Sequence, residues 1–209
     1  MHLDRAGWPF IGGALLLALA SAAAVGRGIA LPLVALAAFF AFFFRDPQRT
    51  PPGDSDLVLS PADGRVLVAG PATAGAAPTG AWQQISIFLS PMDVHVNRIP
   101  ASGRVTRVSY TPGRFLPAYR PDAATANERS EVWIDHGGQT VVARQIVGIL
   151  ARRVVCRVKS GAEVRAGDRF GIMKFGSRMD VFVPINATIK VSVGQVVRGG
   201  ETIIAVLQS

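Results

Sequence analysis

Between Trp8 and Phe44 a single charged residue, Arg27, interrupts 37 residues of otherwise uncharged chain. So apolar a stretch cannot form the surface of a water-soluble fold; it needs lipid or a large protein interior around it. Arg27 divides it into runs 8–25 and 29–44, which as helices reach about 27 and 24 Å, close to a hydrocarbon core of about 30 Å. Small residues at Ala20-Ser21-Ala22-Ala23-Ala24 fit an export signal, but a second apolar run follows at once and argues against it. Two buried core helices are the soluble alternative. The reading adopted is a helical membrane hairpin over residues 1–44. Arg5 at its start and Arg45 and Arg49 at its end favour a cytoplasmic location for both ends, with Arg27 in the turn opposing.

Residues 45–56, with Asp46-Pro47 and Thr50-Pro51-Pro52-Gly53-Asp54, form a breaker-rich linker, since proline removes a donor and restricts the residue before it. From Leu57 to Ser209 the pattern is one of short β-like runs punctuated by Gly, Pro and Asp: 57–60, 65–69, 82–89, 104–110, 131–135, 140–147, 153–159, 181–184, 188–193 and 202–207. The fold class is therefore mainly β. An internal echo refines it: Gly161-Ala162-Glu163-Val164-Arg165-Ala166-Gly167-Asp168 and Gly194-Gln195-Val196-Val197-Arg198-Gly199-Gly200-Glu201 share Gly-x-x-Val-Arg-x-Gly-acid at an offset of 33. Paired turns of this kind resemble the barrel-sandwich hybrid scaffold of lipoyl, biotinyl and phosphocarrier domains. Two copies are too few for a solenoid.

Residues 45–209 carry 20 Lys plus Arg against 13 Asp plus Glu, a balance that draws the domain to anionic headgroups. No basic run, recognition helix or aromatic-basic motif supports a nucleic-acid partner. Cys156, the only cysteine, sits in Val154-Val155-Cys156 and reads as a structural thiol. The segment 111–130 is long and proline-rich; it reads either as a solvent-exposed excursion or as a lip over a lipid site, with Arg114 and Arg120 for phosphate and Phe115 for the apolar part.

Near the C-terminus, Gly176-Ser177 lies between the two echo copies, where a scaffold loop could hold the bond under strain. A serine after glycine can turn its hydroxyl on the preceding carbonyl with little hindrance, given a nearby base. Phe43-Phe44-Arg45-Asp46-Pro47, Ser60-Pro61-Ala62-Asp63-Gly64, Ser90-Pro91-Met92-Asp93-Val94-His95-Val96-Asn97-Arg98-Ile99-Pro100, Asn127-Glu128-Arg129 and Phe175-Gly176-Ser177-Arg178 follow one another in that order. Together they resemble the short form of the phosphatidylserine decarboxylase family, over about residues 43 to 209.

The resemblance implies a bacterial membrane enzyme that converts phosphatidylserine to phosphatidylethanolamine and CO2 through a Schiff base with a pyruvoyl group made from Ser177. Cleavage between Gly176 and Ser177 would give a chain 1–176 and a pyruvoyl chain 177–209 that stay together as a heterodimer. Neither pyridoxal phosphate nor a metal is expected: no phosphate cradle accompanies Lys159, Lys174 or Lys190, and His95 lacks a partner at ligand spacing. In the family's pattern His95 is the acid/base and Asp63 orients the base during self-cleavage; an Asp-Gly turn is the plainer reading of Asp63. Longer members carry a second histidine where this chain has Arg98, which cannot act as a base at neutral pH. Either His95 serves both steps or His136 moves in. The rival classes are a carrier domain modified at Lys174, a phosphocarrier using His95 and His136, and a structural adaptor.

Overall fold

The computed structural model describes residues 2–53, 55–149, 154–174 and 177–208. It divides into two units, Met1–Gln48 and Arg49–Ser209.

In the first unit, strand β1 (His2–Leu3) leads through a 3-10 turn, Arg5–Gly7, into helix α1 (Trp8–Ala24), which is followed by α2 (Arg27–Phe43) and β2 (Arg45–Asp46). Asp4 caps the entry by accepting the Ala6 N–H at 2.9 Å, and Pro9 stands in the first helical turn, where its missing donor is harmless. The chain reverses at Gly26, whose φ of 116° only glycine adopts freely. The helices pack on each other and β1 pairs antiparallel with β2. Outward-facing Leu16, Leu19 and Leu31 remain 68–69% exposed, a surface suited to lipid. The helical stretch Arg5–Ala24 is long and apolar enough to cross a membrane, while α2 is shorter. Arg45 closes the hairpin by donating to the Phe42 carbonyl at 2.9 Å and stacking over the Phe42 ring at 3.9 Å.

The second unit contains β3 (Leu57–Leu59), β4 (Gly64–Pro71), β5 (Trp82–Leu89), β6 (Val96–Arg98), β7 (Gly103–Thr111), the single-turn α3 (Ala123–Ala126), β8 (Arg129–His136), β9 (Gln139–Val147), β10 (Val154–Cys156), β11 (Glu163–Val164), β12 (Arg169–Met173), β13 (Ser177–Pro184), β14 (Thr188–Ile189), β15 (Val196–Val197) and β16 (Ile203–Val206). Among the described residues, eight strands form one antiparallel sheet in the order β11-β7-β8-β9-β13-β5-β4-β15. It curls into a half-barrel. Two three-stranded sheets, β10-β12-β6 and β14-β16-β3, complete the unit. Alternation along the strands sends Ile85, Ile87 and Leu89 of β5, Val141 and Ala143 of β9, and Met179, Val181 and Val183 of β13 into one core, joined by Phe170 and Met173 of β12.

The echo read in the sequence is half of a larger internal symmetry. Its two strands, β11 and β15, close opposite edges of the large sheet. Val164 pairs with Gly103 and Val197 with Gly64. Those partners belong to a second repeat, Pro61-Ala62-Asp63-Gly64-Arg65-Val66 and Pro100-Ala101-Ser102-Gly103-Arg104-Val105. A Cβ on Gly64 would stand 2.1 Å from the Phe88 carbonyl oxygen, and one on Gly103 2.1 Å from that of Asp135, so both glycines are required by the same close backbone approach.

The strand reading differs from the structure at particular places. β6, β11, β12 and β15 were not expected, being two to five residues long. β13 begins at Ser177, four residues before the expected run at 181, so Ser177 opens a central strand rather than lying inside a loop.

Candidate active site

Ser177 is the first residue of β13 and is fully buried, paired with Leu89 of β5 on one side and Val147 of β9 on the other. Its hydroxyl has no hydrogen-bond partner among the described residues. A buried hydroxyl without a partner costs about 1–3 kcal/mol, so stability does not account for it. Gly176 lies outside the described residues.

His95 reaches the same region from the facing sheet. β6 runs antiparallel to β12, Val96 opposite Ile172, and the Met173 N–H extends the ladder to the His95 carbonyl at 3.3 Å. His95 thus stands beside the end of β12, four residues before Ser177 in the chain. The turn before it is built by its own motif: the Asp93 N–H donates to Ser90 O at 3.0 Å, and Asp93 Oδ2 accepts the Ser90 N–H at 2.8 Å. The buried imidazole has Nδ1 at 2.9 Å from the Asp93 carbonyl. A carbonyl only accepts, so in this contact Nδ1 carries the proton.

Asp63 precedes β4. Its Oδ1 accepts the Gly199 N–H at 2.7 Å and its Oδ2 pairs with Arg49 at 2.7 Å; Arg49 also holds Glu201 at 2.9 Å. Burial pushes the Asp63 carboxyl above the ordinary aspartate range, against the pull of the Gly199 N–H and Arg49, and the nearby Asp93 charge pushes the same way. Asp93, two residues from His95, is near enough for its charge to act on Asp63. His136 is elsewhere. It ends β8 opposite Gln139, bonded to the Ser102 carbonyl at 2.7 Å, and Gln139 is eight residue steps along β9 from Val147 beside Ser177, about 26 Å of strand.

The segment 111–130 is anchored to the strand beside Ser177. Fully buried Asn127 donates to the carbonyls of Leu116 and Val147, both at 2.8 Å, and accepts the Leu116 N–H at 2.9 Å. Arg114 and Phe115 are exposed on this lip, whereas Arg120 is held bidentately by Asp122 at 2.8 and 2.9 Å. Tyr119 meets Phe88 edge to face. A separate cleft of about 720 Å³ gathers Arg49, Arg98, Arg157, Lys159 and Arg169 with Glu163 and Asp168.

On the outer face of β13, Arg178 and Asp180 form a buried ion pair at 2.6 Å, tied to Ser86 and Gln84 of β5. Neither residue was singled out from the sequence, nor was the buried amide pair of Asn97 and Gln145. Cross-strand pairing brings each pair together, and a linear sequence carries no sign of it.

The phosphatidylserine decarboxylase family profile matches residues 36–205. The chain belongs to the phosphatidylserine decarboxylase family. It is 43% identical over 207 residues to a phosphatidylserine decarboxylase proenzyme of Burkholderia multivorans, covering 99% of this chain and 96% of that one. It is 44% identical over 167 residues to the proenzyme of Pelodictyon phaeoclathratiforme, covering 80% and 78%. Family membership displaces the carrier reading of Lys174, the phosphocarrier and the structural adaptor.

Proposed function

We propose that this chain is a proenzyme that cuts itself between Gly176 and Ser177 and then decarboxylates phosphatidylserine to phosphatidylethanolamine. The observation that carries the reading is the buried, unpartnered Ser177 hydroxyl at the head of a central strand, within a family whose members are named proenzymes. His95 Nε2 takes the hydroxyl proton as Oγ adds to the Gly176 carbonyl; collapse breaks the peptide bond, leaving an ester and a free amine on residue 177. Removal of the residue-177 α-proton then expels the Gly176 carboxylate. The dehydroalanine left behind gains water and loses ammonia to give the pyruvoyl cap. Asp63, its oxygens held by Gly199 and Arg49, orients the base indirectly, through the turn that carries Asp93.

A residue converted in place, held by Leu89 and Val147 on either side, fits a pyruvoyl cap. That group supplies a ketone that condenses with the lipid amine and accepts the electrons released with CO2. The chain's own residues do the rest. His95 moves protons, the two flanking strands fix residue 177, and the lip presents Phe115 to acyl chains and Arg114 to phosphate, with Arg120 available once it leaves Asp122. The cationic cleft and the apolar hairpin favour an anionic membrane, with the catalytic unit on its cytoplasmic side.

Intact-mass analysis of the wild type beside Ser177→Ala tests the reading. The wild type should yield a 33-residue chain 177–209 with a ketone-blocked N-terminus and release CO2 from phosphatidylserine vesicles, while the variant stays whole. An uncut, inactive wild type overturns it.

A further inference from the structure

Asn97 of β6 and Gln145 of β9 are fully buried and meet across the gap between the two sheets, Gln145 Nε2 donating to Asn97 Oδ1 at 2.8 Å. Asn97 Nδ2 and Gln145 Oε1 have no partner among the described residues. Exchanging the ends of both amides moves the spare donor to the other residue but leaves the same inventory, one donor and one acceptor. Each unpaired buried group costs about 1–3 kcal/mol. An interior that keeps one of each where two leucines would pack is built to be completed by a ligand.

The pair sits one step inward from the reacting groups. Gln145 is opposite Met179 and Ser177 is opposite Val147, so Gln145 lies on the Ser177 face, two residues or about 7 Å further in. Asn97 lies two residues after His95, whose carbonyl continues the β6 ladder by accepting the Met173 N–H. Asn97 is also opposite Gly171, where a Cβ would come within 2.3 Å of the Val155 carbonyl oxygen and 2.8 Å of Gln145 Nε2, so the glycine keeps room for both.

We propose that Asn97 and Gln145 read the amino-acid head of the lipid: the spare N–H donates to the α-carboxylate and the spare carbonyl accepts from the amine N–H. The inference rests on the decarboxylase reading above. From the α-carbon of residue 177 through the lipid nitrogen and α-carbon to a carboxylate oxygen, four bonds span about 4–5 Å. The remaining 2–3 Å or so to the amide is one hydrogen bond. Phosphatidylethanolamine has the amine and no carboxylate, so the same two side chains distinguish substrate from product.

The test is Asn97→Asp, which keeps an acceptor for Gln145 Nε2 and replaces the spare donor by an anionic oxygen. Purified cleaved protein is incubated with dihexanoyl phosphatidylserine or dihexanoyl phosphatidylethanolamine and reduced with borohydride, and the mass of chain 177–209 reports the fraction carrying each lipid. The half-saturating concentration of the serine lipid should rise tenfold or more, with that of the ethanolamine lipid unchanged within twofold. Equal shifts for both lipids, or none for either, overturn the proposal. Should Asn97→Asp stay uncut, Asn97→Ala, which buries no charge, carries the same comparison; if that too stays uncut, the pair serves maturation and the proposal falls. A wild type that traps neither lipid counts instead against the decarboxylase reading.

Discussion

Asp63 and Ser102 occupy equivalent positions in the internal repeat and make the same contact. Asp63 Oδ1 accepts the Gly199 N–H at 2.7 Å, and Ser102 Oγ accepts the Ala166 N–H at 3.0 Å. One oxygen suffices to hold the turn. Asp63 has a second, and it is this surplus oxygen, paired with Arg49, that departs from the symmetry. Asp63→Ser should therefore fold with near wild-type stability yet cut itself about 100-fold more slowly or worse, the scale of a lost acid/base function. Ser102→Ala should lose about 1 kcal/mol and cut normally. Time courses of cleavage on gels, beside urea melts, separate the two.

The raised Asp63 pKa sets a sign for stability against pH. Its folded-state pKa lies above the unfolded value of about 3.9, so its favourable contribution is full below that value and fades as pH rises through the folded pKa. Asp63→Asn stays neutral throughout. In the uncut Ser177→Ala background, the stability of the Asn variant relative to Asp should improve as pH climbs from about 3.5 toward 7. Denaturant titrations in detergent measure it, and the opposite slope would contradict the assignment.

Arg178→Met leaves Asp180 as a lone buried carboxylate, and about 3–5 kcal/mol should be lost in the Ser177→Ala background. Arg178→Met with Asp180→Leu removes both charges and should recover most of that loss. The double-mutant cycle read from urea unfolding gives the coupling.

His95→Ala should abolish self-cleavage, whereas His136→Ala should cut at the wild-type rate and lose no more than about 1 kcal/mol with its Ser102 bond. Pulse-labelled protein followed over time decides between them. A stalled His136 variant would give that residue a role its place at the end of β8, opposite the start of β9, does not suggest.

Much of this was legible in the chain. The apolar hairpin follows from one charge among 37 residues, and the ordered motifs point to Ser177, His95 and Asp63. Other features were hidden for physical reasons. Arg178, Met179 and Asp180 continue the polar–apolar alternation of a strand, but two charges keep them out of the apolar run at 181–184; they neutralise each other inside the sheet, and β13 starts at Ser177. Arg49 reads as a linker residue until the fold closes it onto Asp63 and Glu201. The second repeat at Pro61 and Pro100 was visible in principle, with five of six residues the same, but its meaning depends on edge strands two residues long.

The place of β13 has a further consequence. On both sides it is hydrogen-bonded to strands from before the scissile bond, β9 and β5, while β15 and β16, also after that bond, close onto β4 and β3. Separate synthesis of residues 1–176 and 177–209 would leave each with open sheet edges and part of a core. A continuous polypeptide holds Ser177 in register between β5 and β9 as the sheet forms. On the self-cleavage reading proposed above, severed and unfolded pieces would have no tether to guide them back, and the working lifetime would be governed by how slowly the molecule comes apart.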